Sequence, residues 1–203
     1  MFNDDNLIVK IQRKLPQLFQ IAELENQRGG KTGMEIGFDR ERILVSLLIY
    51  SFGDSNVNTN FPANEAELDV KVFDEPISIK TITNKYLNGI KISWTVEAIS
   101  AEEFKTNYEP SCHILLTQIN WESIGNLFLI PIKVQKEVLQ TIGKDSYIKL
   151  PPRATNPRGS EIYQEAMNTL VTHPETKRIE IYWKKEKVTF NQYSRWIELW
   201  EQD

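Results

Sequence analysis

The chain has 203 residues, 40% hydrophobic and 26% charged, with a net charge of −4. That length buries a full core without disulfides or metals, and one cysteine, Cys112, excludes an intrachain bridge. The acidic balance speaks against a protein coated in basic residues for indiscriminate nucleic-acid binding, but leaves room for a basic cleft on an acidic body.

The start, "MFNDDNLIVKIQRKL", has no basic segment followed by an apolar one, so no secretory signal is expected. No apolar run approaches about 18 residues, so a cytoplasmic protein without a membrane span is expected. Residues 6–27 place Leu7, Ile8, Ile11, Leu15, Leu18, Phe19, Ile21 and Ala22 near helical spacing, interrupted at Pro16. "NQRGGKTG" reads as a flexible loop. In "FDRERILVSLLIYSFG" the pattern predicts a helix with Asp39 as N-cap, an apolar stripe at Ile43, Leu44, Leu47 and Leu48, and a stop at Gly53.

"DSNVNTNFPANEAE" is expected to be loop. "ELDVKVF" and "PISIKTIT" then predict two strands turning at Asp74-Glu75-Pro76, and "GIKISWTV" a third after the turn "NKYLNG". "AISAEEFKTN" predicts a short helix with Ser100 as N-cap and Glu103 closing a capping box. "CHILLTQINW" and "GNLFLIPI" predict central strands around a loop holding Gly125, with Cys112 as a small core residue. "VQKEVLQTIG" is a helix ended by Gly143, and "LPPRATNPRG" is irregular. "SEIYQEAMNTLVTH" is a helix capped by Ser160, "RIEIYWKKEKV" a late strand and "FNQYSRWIELWEQD" a terminal helix. The order predicts an α/β fold with a central mixed β-sheet flanked by helices.

The hairpin carries the chemistry. A period of two puts Glu67, Asp69, Lys71 and Phe73 on one face of the first strand, and Ser78, Lys80 and Ile82 on one face of the second. In the obvious register Asp69 and Lys80 share a side of the sheet. A carboxylate suits Mg²⁺, and a lysine beside it can polarise a water or stabilise phosphoryl charge. The plainer reading is a solvent-facing salt bridge worth a few tenths of a kcal/mol.

An Asp on one strand, a short turn and a lysine on the next, "ELDVKVFDEPISIKT", resembles the PD-(D/E)XK core of type II restriction endonucleases. "KISWTVEA", "LFLIPI", "VQKEVL" and "TNPRGSEI" look like the ThaI group of those enzymes. The resemblance implies a single nuclease domain over 1–203, with a core at about 33–135 and DNA-contacting and C-terminal elements at about 136–203. It implies Asp69 as metal ligand, Lys80 as the motif lysine and the Ile79 carbonyl as a further Mg²⁺ ligand. Two positions depart from the pattern: Leu68 stands where a Pro usually precedes the Asp, and Ser78 where the family usually has a carboxylate. Glu41 is the first candidate to replace that carboxylate, with Glu35, Glu67 and Glu97 behind it. A Glu near a helix N-terminus is also what the helix dipole favours without any catalytic role.

Arg153, Asn156 and Arg158, in a Pro/Gly-bounded loop feeding a helix, are expected DNA contacts, as is Lys85. A solvated turn is the plainer reading there. Lys184, Lys185 and Lys187 read as a soluble strand face. His113 and His173 lack metal-ligand partners at short spacing. Trp196 and Trp200 read as a packing stripe or a dimer face. No dinucleotide, Walker or serine-hydrolase motif is present. The expected function is Mg²⁺-dependent, site-specific cleavage of double-stranded DNA by a homodimer at a palindrome. A repair or junction nuclease of the same fold, or a non-catalytic DNA-binding domain, remains the alternative.

Overall fold

A computed structural model describes the chain except residues 29–30, 33–34, 62–66, 94–97, 153–158, 192 and 203. Its first third holds α1 (Asp5–Glu25), β1 (Gln27–Arg28), β2 (Lys31–Thr32), α2 (Ile36–Phe52) and β3 (Val57–Asn58). The middle holds β4 (Val70–Val72), β5 (Glu75–Thr83), β6 (Lys91–Ser93), α3 (Ala98–Asn107), β7 (His113–Ile119) and β8 (Ile124–Ile130). The last part holds α4 (Ile132–Ile142), α5 (Lys144–Tyr147), β9 (Ile148–Lys149), β10 (Ser160–Ile162), α6 (Gln164–Thr172), β11 (Lys177–Tyr182) and α7 (Ser194–Trp200).

Six strands form the central sheet in the order β11-β8-β7-β5-β4-β3. β5 and β7 run parallel, with Ser78 opposite Ile114 and Lys80 opposite Leu116. The other pairs are antiparallel, so the sheet is mixed, as the element order predicts. β7 is buried along nearly its whole length, because each sheet face carries a core. On one face α1 and α2 press Ile11, Leu15, Phe19, Leu44 and Leu48 against Val70, Ile77, Ile79 and Leu115. On the other, α4 and α6 bury Val134, Val138, Met167 and Leu170 against Ile114, Leu116 and Phe128.

Several elements differ from their sequence reading. Pro16 does not break α1; buried neighbours on both turns carry the helix through it. The loop after α1 contains the small hairpin β1–β2. The 54–67 stretch, expected to be loop, holds a short 3-10 turn at Asp54–Asn56 and the strand β3. α2 begins at Ile36, so Asp39 lies in its first turn instead of capping it, and Glu41 sits deeper in the helix. The hairpin turns on Phe73 and Asp74, both at positive φ (51° and 65°), while Glu75 and Pro76 already belong to β5. That is a two-residue turn whose twist matches the strands.

β6 leaves the main sheet and pairs with β10 in a second sheet, β6-β10-β9. Ser100 lies inside α3, two residues past its start, and Ser160 starts a strand, with Tyr163 as the N-cap of α6. Gly125 sits within β8, where an added Cβ would meet the Gln118 carbonyl at 2.2 Å and the Trp183 ring nitrogen at 2.6 Å. α7 buries no packing stripe: Trp196 is 57% and Trp200 89% exposed.

Candidate active site

The site forms where β4 stops short of β5. Their ladder closes with Val70 opposite Ile77, and the Asp69 N–H donates to the Ile77 carbonyl at 3.1 Å. β5 continues to Thr83 with β7 on its other edge, so among the described residues its upper half faces no strand on the β4 side. The Asp69 carboxylate fills that gap. Its Oδ2 accepts the Ile79 N–H at 2.6 Å and the Ser78 hydroxyl at 3.2 Å, and lies 3.6 Å from the Lys80 ammonium. A strand residue points its N–H and C=O to the same edge, so the Ile79 carbonyl opens toward Asp69 as well.

Ser78 is 3% exposed, and its hydroxyl is spent on positioning Asp69. Glu41 reaches the same place from α2. Burial pushes its carboxyl pKa up, the Asp69 charge adds to the rise, and Lys80 opposes it. Of the sequence candidates for the missing carboxylate, Glu41 thus shares a field with Asp69 and Lys80. Glu35 is exposed at the head of α2 and makes no side-chain cap bond. Glu97 lies outside the described residues.

Glu67 is the second carboxylate beside Lys80. The expected strand alternation does not extend to it, because it adopts φ 68° in a turn before β4. Its side chain turns inward against Ser111, 3.5 Å away, and Tyr108. Burial raises its pKa to about 7, against the opposing pull of Lys80. Tyr108 and Ser111 carry no signal in the sequence; they arrive because α3 and β7 pack beside the hairpin. Burial and the neighbouring Glu67 charge raise the Tyr108 phenol pKa far above its ordinary value.

Both histidines are engaged elsewhere: His113 meets Glu75 and accepts the Ile132 N–H, and His173 accepts the Glu175 N–H. Cys112 is free and buried, as expected of a core residue. Lys85 is exposed, with its ammonium 5.9 Å from the Tyr86 ring centre. Arg153, Asn156 and Arg158 lie outside the described residues.

Among the described residues, no three His, Cys, Asp or Glu side chains gather as a metal cage. Two carboxylates and a main-chain carbonyl are nevertheless the kind of sparse, all-oxygen donor set that suits a hard divalent ion retaining waters and taking substrate phosphate. An ammonium lies 3.6 Å from one carboxylate at the open edge of a mixed sheet, the arrangement that the resemblance to the PD-(D/E)XK class implies.

The model of restriction endonuclease ThaI matches residues 1–202, and the chain belongs to that family. It is a type II site-specific deoxyribonuclease, an enzyme class that works with a divalent metal. It is also similar to a solved structure described as a restriction endonuclease in complex with substrate DNA. The two are 51% identical with a TM-score of 0.91, over 98% of this chain and 96% of that one. No curated protein matches the chain. Among the described residues no helix is long and apolar enough to cross a membrane.

Proposed function

We propose that this enzyme is a Mg²⁺-dependent homodimer that cuts double-stranded DNA at a short palindrome, with one active site per subunit. The observation that carries this reading is the meeting of Asp69 and Lys80, 3.6 Å apart at the open edge of β5, with Glu41 in their field. Asp69, Glu41 and the Ile79 carbonyl would hold the ion. Bound there, Mg²⁺ supplies charge neutralisation on phosphoryl oxygens and a more acidic water. Ser78 and the Ile79 N–H hold the Asp69 carboxylate in one orientation. Lys80 orients the attacking water and stabilises the charge that develops on the phosphate. Arg153, Asn156, Arg158 and Lys85 contact the DNA. The whole chain acts as a single nuclease domain.

A homodimer follows from symmetry, since a two-fold protein reads a two-fold site and places one hydrolytic centre on each strand. Incubation with phage DNA and Mg²⁺ tests the reading. Discrete bands are expected, and sequencing the cut ends gives the site and whether they are blunt or staggered. A smear would make the enzyme a general nuclease, and binding without cutting a degenerate module.

A further inference from the structure

The C-terminal helix leaves its apolar side uncovered. In α7, Ile197 and Leu199 are each 48% exposed and Trp200 is 89% exposed. Helical spacing gathers these on one side, while Glu198 and Glu201 lie on the flank and back. A chain normally buries side chains of this size.

A second uncovered apolar surface lies between α1 and α2. It is a groove of about 280 Å³ floored by Ile11, Leu15, Ile43 and Leu47, with Leu18 exposed at one end. Lys10 and Lys14 stand on its rim. Lys10 bonds the Tyr50 hydroxyl and Lys14 the Gln17 amide oxygen, and neither meets a carboxylate among the described residues. The two surfaces are opposite in charge and similar in length. The arm from residue 194 to 203 carries Glu198, Glu201 and Asp203 against one arginine, Arg195, and α7 spans about 10 Å; the groove carries Lys10 and Lys14 on its rim and runs about 12 Å along α1 from Lys10 to Leu18.

We infer that α7 of one protomer docks in the α1–α2 groove of a second copy of this chain, and that the two copies exchange these arms about a two-fold axis. The inference rests on the homodimer reading above and names its surface. The path of the chain favours exchange over docking at home. The segment after β11 runs along α1 on the side of Gln12 and Gln20. Gln12 donates to the Glu180 carbonyl at 2.9 Å, and Gln20 makes two bonds to the Glu186 main chain at 2.7 and 3.0 Å. At 100° per residue, Gln12 and Gln20 lie on the opposite side of α1 from Lys14 and Leu18. Its anchoring bonds to Gln12 and Gln20 thus hold the arm's root on the far side of α1 from the floor of its own groove. A two-fold partner presents the same groove to the arm, and each contact is made twice.

Sedimentation of the full-length enzyme without DNA tests this with two surface variants. One is the arm variant Ile197→Asp/Trp200→Asp, the other the groove variant Leu18→Asp. Circular dichroism and the unfolding midpoint confirm that each stays folded. The wild type is expected to be a dimer, and each variant alone to dissociate with a dimer Kd raised at least tenfold. Mixing the two variants is expected to recover part of the dimer, because an intact arm then meets an intact groove once. An arm variant that dimerises like the wild type overturns the inference and leaves the homodimer reading standing. No recovery on mixing overturns it in favour of docking within one chain. A monomeric wild type removes the homodimer reading and the inference with it.

Discussion

At the scale of single residues, the site depends on one carboxylate oxygen with three partners. Asp69→Ala removes the proposed metal ligand and leaves the Ser78 hydroxyl and Ile79 N–H without their acceptor. We expect cleavage to vanish while stability falls by only about 1–3 kcal/mol, read from the unfolding midpoint. Lys80→Ala is expected to lower the cleavage rate by orders of magnitude while specific binding in Ca²⁺ holds, because the contribution proposed for it arises in the transition state. Glu41→Gln is expected to be as damaging as Asp69→Ala in the same assay. Ser78→Glu should also lower activity, since a third carboxylate would crowd Asp69 and Glu41 through like-charge repulsion.

Glu67 gives a pH signature. Its folded pKa of about 7 lies above an unfolded value near 4.5, so the native state holds the extra proton between those values. Stability from this group is therefore full below about pH 4.5 and falls as pH rises through 7, by an amount of order 2–3 kcal/mol. In metal-free enzyme, Glu67→Gln is expected to flatten that part of the stability curve, as measured by denaturant unfolding across pH.

At the scale of elements, the hairpin and α2 bring the site together. Glu23 on α1 pairs with Arg40 on α2 at 2.8 Å, and the same oxygen accepts the Trp121 ring N–H at 2.8 Å. This buried pair sets the angle of α2 one residue before Glu41. Sequence spacing assigns Arg40 no such role, because its partner lies on another helix. The far edge of the sheet depends on Gly125. Any Cβ there would run into the Gln118 backbone and the Trp183 ring, and backbone cannot yield as a flexible side chain can. Gly125→Ala is expected to cost about 1–3 kcal/mol by overpacking and to lower the thermal midpoint, with the site geometry at β5 retained.

At the scale of the whole molecule, the net charge of −4 means that the body of the protein repels DNA and a few basic groups must supply the attraction. Arg153→Ala and Arg158→Ala titrated against cognate and non-cognate duplexes at several salt concentrations measure that. A phosphate-contacting Arg should weaken both duplexes alike and flatten the salt slope by about one unit. A base-reading Arg should instead cost about 1–3 kcal/mol of discrimination at one position. Unchanged affinity and slope in both variants would turn this loop away from DNA.

What the sequence determined by itself is local. Period-two alternation marked β5 and β11, continuous apolar runs marked the central strands β7 and β8, and the apolar stripes marked α1 and α2, because burial on one face or on both imposes those patterns wherever the chain folds. The resemblance to a motif also brought out Asp69, Ser78, Ile79 and Lys80, since one hairpin and the residue before it hold all four. The tertiary structure decided what depends on elements distant in the chain. It broke β4 off at Val70, so that the Asp69 side chain takes the place of a strand neighbour on Ile79. It drew β6 into a second sheet, although it follows the hairpin strands directly in the chain. It set Glu41 in the field of Asp69 and Lys80 through the packing of α2, and folded Glu67 under Tyr108 and Ser111. It left the aromatic side of α7 outside the core, where spacing alone allowed packing or docking. Spacing shows which residues share a face, and only the packing of one face on another shows what that face meets.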